Sequence, residues 1–190
     1  MQKKSKGKFL LIVLFICSIN ISKGQDKFNI EFEDIKYRNV GPTRGGRSTT
    51  VCGVVNEQFT FYMGTTGGGV WKTLDGGLNW KNISDNYFKT PSIGSIDIFQ
   101  ADPSIIYVGT GSDGIRSNVI VGKGVYKSND AGSSWKYLGL EDTGQIGAIK
   151  IHPENSDIVY AAAIGQPFKS NNERGLFKSL DGGNSWNKIL

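Results

Sequence analysis

Thr73-Leu74-Asp75-Gly76-Gly77-Leu78-Asn79-Trp80 returns as Ser128-Asn129-Asp130-Ala131-Gly132-Ser133-Ser134-Trp135 and again as Ser179-Leu180-Asp181-Gly182-Gly183-Asn184-Ser185-Trp186. One rule, Ser/Thr-x-Asp-x-Gly-x-x-Trp, therefore occurs three times, 55 residues apart from Asp75 to Asp130 and 51 from Asp130 to Asp181. A period of that length belongs to blade-like array units and not to helical solenoids. Strand-like text flanks every copy: Gly69-Val70-Trp71-Lys72, Gly124-Val125-Tyr126-Lys127 and Gly175-Leu176-Phe177-Lys178 before it, and Lys81-Asn82-Ile83, Lys136-Tyr137-Leu138 and Asn187-Lys188-Ile189 after it. Asp-Gly-Gly between such runs predicts a hairpin. The Asp carboxylate can accept N–H bonds from its own turn, and Gly77, Gly132 and Gly183 permit a positive φ. Trp80, Trp135 and Trp186 each offer a large apolar face to a neighbouring unit. A feature present three times cannot mark a single active site, so Asp75, Asp130 and Asp181 are read as turn braces.

The repeat extends upstream. Ile96-Asp97-Ile98-Phe99-Gln100-Ala101-Asp102-Pro103 followed by Ser104-Ile105-Ile106-Tyr107-Val108 parallels Ile149-Lys150-Ile151-His152-Pro153 followed by Asp157-Ile158-Val159-Tyr160-Ala161. Alternating apolar residues on either side of a proline turn predict two more strands per unit. The expected strands are 47–55, 59–64, 69–73 and 79–83 in the first unit, 93–99, 105–110, 124–128 and 134–138 in the second, and 145–151, 158–163, 175–179 and 185–189 in the third. Four antiparallel strands per unit make a propeller blade, so the chain is expected to be an all-β β-propeller with blades at about 47–84, 93–139 and 145–190. Propellers close with typically four to eight blades. Three blades are thus expected to be part of a larger ring, either continued in a longer protein or completed by an oligomer.

Residues 1–24 run from Lys3, Lys4, Lys6 and Lys8 through an apolar stretch, Phe9 to Cys17, to Ser22-Lys23-Gly24. That order predicts a secretory signal peptide cleaved after Gly24, and hence a secreted or periplasmic protein. The apolar stretch is too short for a comfortable membrane span. The segment holds five of the 22 basic residues and none of the 17 acidic ones, so the remainder carries equal numbers of each sign and gives no electrostatic case for nucleic acid. Residues 25–46 form a lead-in whose Phe28, Ile30, Phe32, Ile35 and Tyr37 suit a ring-closing strand. Cys52 is left as the one cysteine past the signal and is expected to be a small buried residue on a strand.

The three octapeptides resemble the Asp-box, or bacterial neuraminidase repeat, of sialidases, family 74 glycoside hydrolases such as xyloglucanases, and sortilin-type receptor domains. Tyr37-Arg38-Asn39-Val40-Gly41-Pro42-Thr43-Arg44-Gly45-Gly46-Arg47 and Tyr62-Met63-Gly64-Thr65-Thr66-Gly67-Gly68-Gly69 add a likeness to large secreted bacterial proteins of the sortilin-like or glycosyl-hydrolase-like kind. The resemblance implies a scaffold, not one chemistry. Family 74 enzymes place a catalytic Asp early, in a motif similar to Tyr-Ala-Arg-Thr-Asp-x-Gly-Gly. Thr66 takes that position here, and a hydroxyl cannot supply the proton of a carboxylic acid. A sialidase needs three convergent arginines, whereas the whole sequence has five Arg.

In such propellers the box lies on one rim, and ligands bind the opposite rim near the axis. That rim would be built by Thr65 to Gly68, Gly111 to Lys123 and Gly165 to Arg174, with the links Asp85 to Ser92 and Leu140 to Gly144. The candidate ligand-binding residues are Arg44, Arg47, Asp113, Arg116, Glu173 and Arg174, with Glu141 and Asp142 beside them. The plain alternative is a solvated loop charge at each position, and for Arg44 and Arg47 a bend at Gly45-Gly46 that helps lock the ring. His152 sits in a repeat turn. No spacing suits a metal or a phosphate loop, so no metal and no cofactor is expected. The expected role is a glycan- or protein-binding module, with a glycoside hydrolase as the alternative and the catalytic residues unassigned.

Overall fold

The computed structural model of the protein describes residues 46–115 and 118–190. The expected signal peptide, most of the lead-in, Arg44 and Arg116 lie outside the described residues. Twelve strands are present: β1 (Ser48–Val54), β2 (Glu57–Thr65), β3 (Val70–Thr73), β4 (Lys81–Asn82), β5 (Ile93–Ile98), β6 (Ile106–Thr110), β7 (Val125–Ser128), β8 (Lys136–Tyr137), β9 (Ile146–His152), β10 (Asn155–Ala163), β11 (Gly175–Ser179) and β12 (Asn187–Lys188). They form three four-stranded antiparallel sheets, β1 to β4, β5 to β8 and β9 to β12, each in plain sequence order. The only helical turn among the described residues is a 3-10 turn at Glu141–Thr143.

The expected architecture is therefore observed: three β-propeller blades. The outer strands are the main correction. Where five residues were expected in each, two pair, as in Trp71 opposite Asn82 and Lys72 opposite Lys81. The octapeptide tryptophan stands outside its strand because its indole is directed elsewhere.

Trp135 Nε1 donates to the carbonyl of Ile83 at 2.8 Å, and Trp186 Nε1 donates to that of Leu138 at 2.8 Å. Each tryptophan thus reaches the residue just past the outer strand of the preceding blade. A second set of bonds runs the other way. Tyr62 Oη and Lys72 Nζ both donate to the carbonyl of Ala131, at 3.1 and 3.0 Å, and Tyr107 Oη donates to that of Gly182 at 3.1 Å. The octapeptide glycines close the joint: a Cβ added at Gly132 or Gly183 would come 2.5 Å from Cδ1 of Ile83 or Leu138. These glycines also hold φ of 88° and 89°, so close approach and backbone conformation both require them.

The apolar core lies in these joints. Val54, Tyr62 and Val70 of blade 1 pack with Ile96, Ile106, Val108, Tyr126 and Trp135 of blade 2. Tyr107, Val125 and Leu138 of blade 2 pack with Ile146, Ile149, Val159 and Ala161 of blade 3. Blade 2 is accordingly buried on both faces, with every residue of β6 buried. The second joint gains a polar tie, because Asp97 accepts from Lys150 Nζ at 2.9 Å and from the Ile151 N–H at 2.8 Å. Cys52, at the corresponding station of blade 1, is half-buried against the first core and not fully enclosed.

Candidate functional site

The octapeptide builds its turn from every polar residue in the rule. The Ser or Thr hydroxyl donates to the Asp Oδ1, at 2.8 Å from Thr73, 2.7 Å from Ser128 and 2.8 Å from Ser179. The hydroxyl oxygen of Thr73, Ser128 or Ser179 in turn accepts the N–H of Gly77, Gly132 or Gly183. Oδ1 also takes the backbone N–H four residues on, and Oδ2 takes the side chain of that residue, Asn79, Ser134 or Ser185. The position before the tryptophan is thus part of the motif, a role legible only as a recurring Asn, Ser and Ser.

All three carboxylates are fully engaged as acceptors, which holds each well below its ordinary 3.8, at about 2. The leading cause is the Asn79 N–H at Asp75 and the hydroxyls of Ser134 and Ser185 at the others. A carboxyl whose acidity rises on folding contributes stability that is complete above its unfolded pKa and is lost as pH falls through the folded value. Thermal melts from pH 7 downward should therefore fall most steeply between about 4 and about 2. Asp130→Asn should flatten that dependence while lowering the melt at pH 7; an unchanged acid profile would contradict the bracing role.

The octapeptides join third to fourth strands, so antiparallel order places the loops 66–69, 111–124 and 164–174, with the links 83–92 and 138–145, at the other strand ends. The three blades match there station by station. The N–H of Thr66, Gly111 or Ile164 donates at 2.8 Å to the carbonyl of Arg47, Ser92 or Gln145. Thr66 also donates its hydroxyl to the Arg47 carbonyl at 3.1 Å, so it braces the loop. Ser92 Oγ and both amide atoms of Gln145 are buried without a hydrogen-bond partner among the described residues.

The candidate residues separate on this rim. Arg47 donates to Asn118 Oδ1 at 3.0 Å and so ties blade 1 to the long loop of blade 2. Asp113 is half-buried in that loop, its carbonyl against Gly147 of β9. Arg174 is turned onto its own loop, Nε donating to the Ile164 carbonyl at 2.9 Å and Nη2 to that of Gln166 at 3.3 Å. Glu141 pairs with Lys123 at 3.3 Å and Lys89 at 3.7 Å. The Lys123 hydrogen bond, then the Lys89 charge, lower its pKa. Tyr137 donates to Glu141 and is pushed up to about 12, by burial first and then by that carboxylate. His152 Nδ1 only accepts the Glu154 N–H in its own turn.

Glu173 is different. With Asp142, Gln166, Lys169, Asn171 and Asn172 it lines an open polar cleft of about 600 Å³ between the blade 3 loop and the link before it. Asn171 shapes this loop, its side chain donating to the carbonyls of Gln166 and Lys169 and accepting the Arg174 N–H. Phe168, in the same loop, is 77% exposed. Gln166, Phe168 and the two asparagines were not singled out in the sequence, although an aromatic between proline and a run of amides was visible there. Among the described residues no group of acidic, His and Cys side chains could hold a metal ion, and no helix is long and apolar enough to cross a membrane.

Neither a protein-family model nor a curated protein matches the chain. Solved structures do. An ancestral GH74 enzyme aligns with 80% of this chain at 20% identity and a TM-score of 0.59. The GH74 enzyme of Niastella koreensis aligns with 74% at 20% identity and 0.56, and YCF48 from Cyanidioschyzon merolae with 80% at 14% identity and 0.54. The chain spans 19%, 21% and 40% of those three proteins respectively. Similarity at this level establishes the fold, and the protein is a β-propeller.

Proposed function

We propose that this protein is a secreted Asp-box β-propeller module that binds a glycan in the cleft between Asp142 and the 164–174 loop. The observation that carries the reading is the lining of that cleft, in which amides, carboxylates and Lys169 stand together, with the exposed Phe168 in the same loop. A sugar hydroxyl both donates and accepts, and amide and carboxylate groups supply the complementary atoms. An aromatic face accommodates the apolar side of a sugar ring, as in sites where a few placed polar groups fix orientation. The fold shared with GH74 enzymes supports a carbohydrate ligand.

A second reading has its own observation. Asp142 and Glu173 place two carboxyl groups on one cleft, the minimum for glycoside hydrolysis. One experiment separates them. The protein, expressed with its N-terminal segment and recovered from the medium with Gln25 as first residue, is applied to plant and bacterial oligosaccharides, with retention and release of reducing sugar both followed. The module reading predicts retention without turnover, weakened about tenfold or more by Asp142→Asn or Glu173→Gln. Turnover abolished by either substitution would establish the enzyme. Retention of no glycan would sink both.

A further inference from the structure

The joint between blades 1 and 2 and the joint between blades 2 and 3 each carry a pair of lysines. Lys72 stands directly opposite Lys81, and Lys127 directly opposite Lys136, on their paired strands. Like charges so placed repel. The second joint answers both of its lysines. Lys136 Nζ donates to Asn184 Oδ1 at 2.9 Å. Asp157 attracts Lys127, and the two meet over Gly182, where an added Cβ would come 2.9 Å from Asp157 Oδ1 and 3.1 Å from Lys127 Nζ.

The first joint lacks both answers. Ser133 follows Gly132 where Asn184 follows Gly183, and Ser104 stands three residues before Tyr107 where Asp157 stands three before Tyr160. The Ser104 hydroxyl donates to Asp102 at 2.6 Å within its own turn. Lys81 is exposed and makes no hydrogen bond or ion pair among the described residues. Burial first pushes Lys72 below its ordinary pKa; Glu57 and Asp130 oppose that shift, and Lys81 adds to it. Neither acid bonds to Lys72, because Glu57 is exposed and Asp130 is committed to its own turn. Ala131, whose carbonyl Lys72 meets, takes the station of Gly182 with φ of 55°, a left-handed conformation that the other two octapeptides give to glycine.

Around these lysines opens a cleft of about 490 Å³, with Leu74, Tyr87 and Ser133 in its walls. Tyr87 Oη donates to the Ser133 carbonyl at 3.1 Å and so spans the joint. Leu74 is 67% exposed there. Asp85 is the one carboxylate in the lining, and its Oδ1 would lie 3.2 Å from a Cβ added at Gly69. We propose that this cleft binds the phosphate group of a monoester, with Lys72 and Lys81 answering its charge and Leu74 and Tyr87 flanking its organic body. A phosphate monoester carries a charge of about −1.5 to −2 at pH 7 and three acceptor oxygens. A carboxylate would bring one charge to two ammonium groups. Lysine binds phosphate as a point charge, without the planar fork that arginine needs. A local rule broken in one joint and kept in its neighbour marks a site shaped for something besides stability.

Titration calorimetry at low salt, with inorganic phosphate and with phenyl phosphate as probes, tests this. Both should bind, phenyl phosphate about threefold or more tighter through its apolar body. Lys81→Gln should weaken either about tenfold or more. Ser104→Asp, which gives the first joint the acid of the second, should do the same, and Lys136→Gln should change nothing. Failure of both probes to bind overturns the proposal. So does an affinity that neither Lys81→Gln nor Ser104→Asp reduces. Equal affinity for the two probes would overturn the ester and leave the free ion as ligand. The cleft is separate from the one in blade 3, so neutral oligosaccharide binding there stands or falls independently.

Discussion

Trp135→Ala is expected to remove about 3–5 kcal/mol of stability, whereas Trp80→Ala should cost about 1 kcal/mol in dilute solution. Both residues close an octapeptide, but only Trp135 is fully packed into a joint. Its ring contacts Phe88 edge-on, with centroids 5.2 Å apart at 79°, and belongs to the core between blades 1 and 2. Its indole N–H also satisfies the Ile83 carbonyl, which truncation would leave without that donor. Trp80 bonds within its own turn and is only half-buried. Urea titration of the two variants measures the difference directly. Equal losses would show that the tryptophan serves its own hairpin and not the joint.

Gly94→Ala is the second severe change, expected to cost about 3 kcal/mol or more, at the upper end of overpacking penalties. Inner strands β5 and β9 run side by side. A Cβ at Gly94 would collide with the Ile146 carbonyl oxygen and sit 3.1 Å from its carbon and 3.2 Å from the Gly111 carbonyl oxygen. These are backbone atoms that cannot rotate away. Gly147 holds the same station one blade on, where an added Cβ meets the Asp113 carbonyl at 3.1 Å and the flexible end of Ile164 at 3.3 Å. Gly147→Ala should therefore cost about 1 kcal/mol. Thermal unfolding of the pair gives the comparison, and a tolerated Gly94→Ala would mean that the inner strands can separate.

These two contrasts also show what the sequence could and could not disclose. The blades were legible because the octapeptide fixes a turn by local bonds alone: the partners of Asp75, Asp130 and Asp181 all lie within four residues of them. The inner strands followed from alternation, since one face of each enters a joint. What was not legible depends on the neighbouring blade. Tyr62 and Tyr107 look like ordinary strand aromatics until the Ala131 and Gly182 carbonyls arrive from 69 and 75 residues away. The short outer strands were not legible either: each pairs over two residues only, with its tryptophan outside the ladder. On the candidate rim, charge alone selected Arg47, Asp113, Glu173 and Arg174. The fold commits Arg47 and Arg174 to loop contacts and sets Glu173 beside Asp142 in a cleft whose amides carried no charge to attract notice.

We propose that the blade 3 cleft is where this propeller meets its ligand. Backbone amide shifts recorded during titration with a retained oligosaccharide test it most directly. Saturable perturbations are expected at Asp142 and at Gln166 to Glu173, with the three octapeptides unmoved. Perturbations centred on the other large cleft, lined by Lys72, Lys81, Tyr87 and Ser133 between blades 1 and 2, would contradict it.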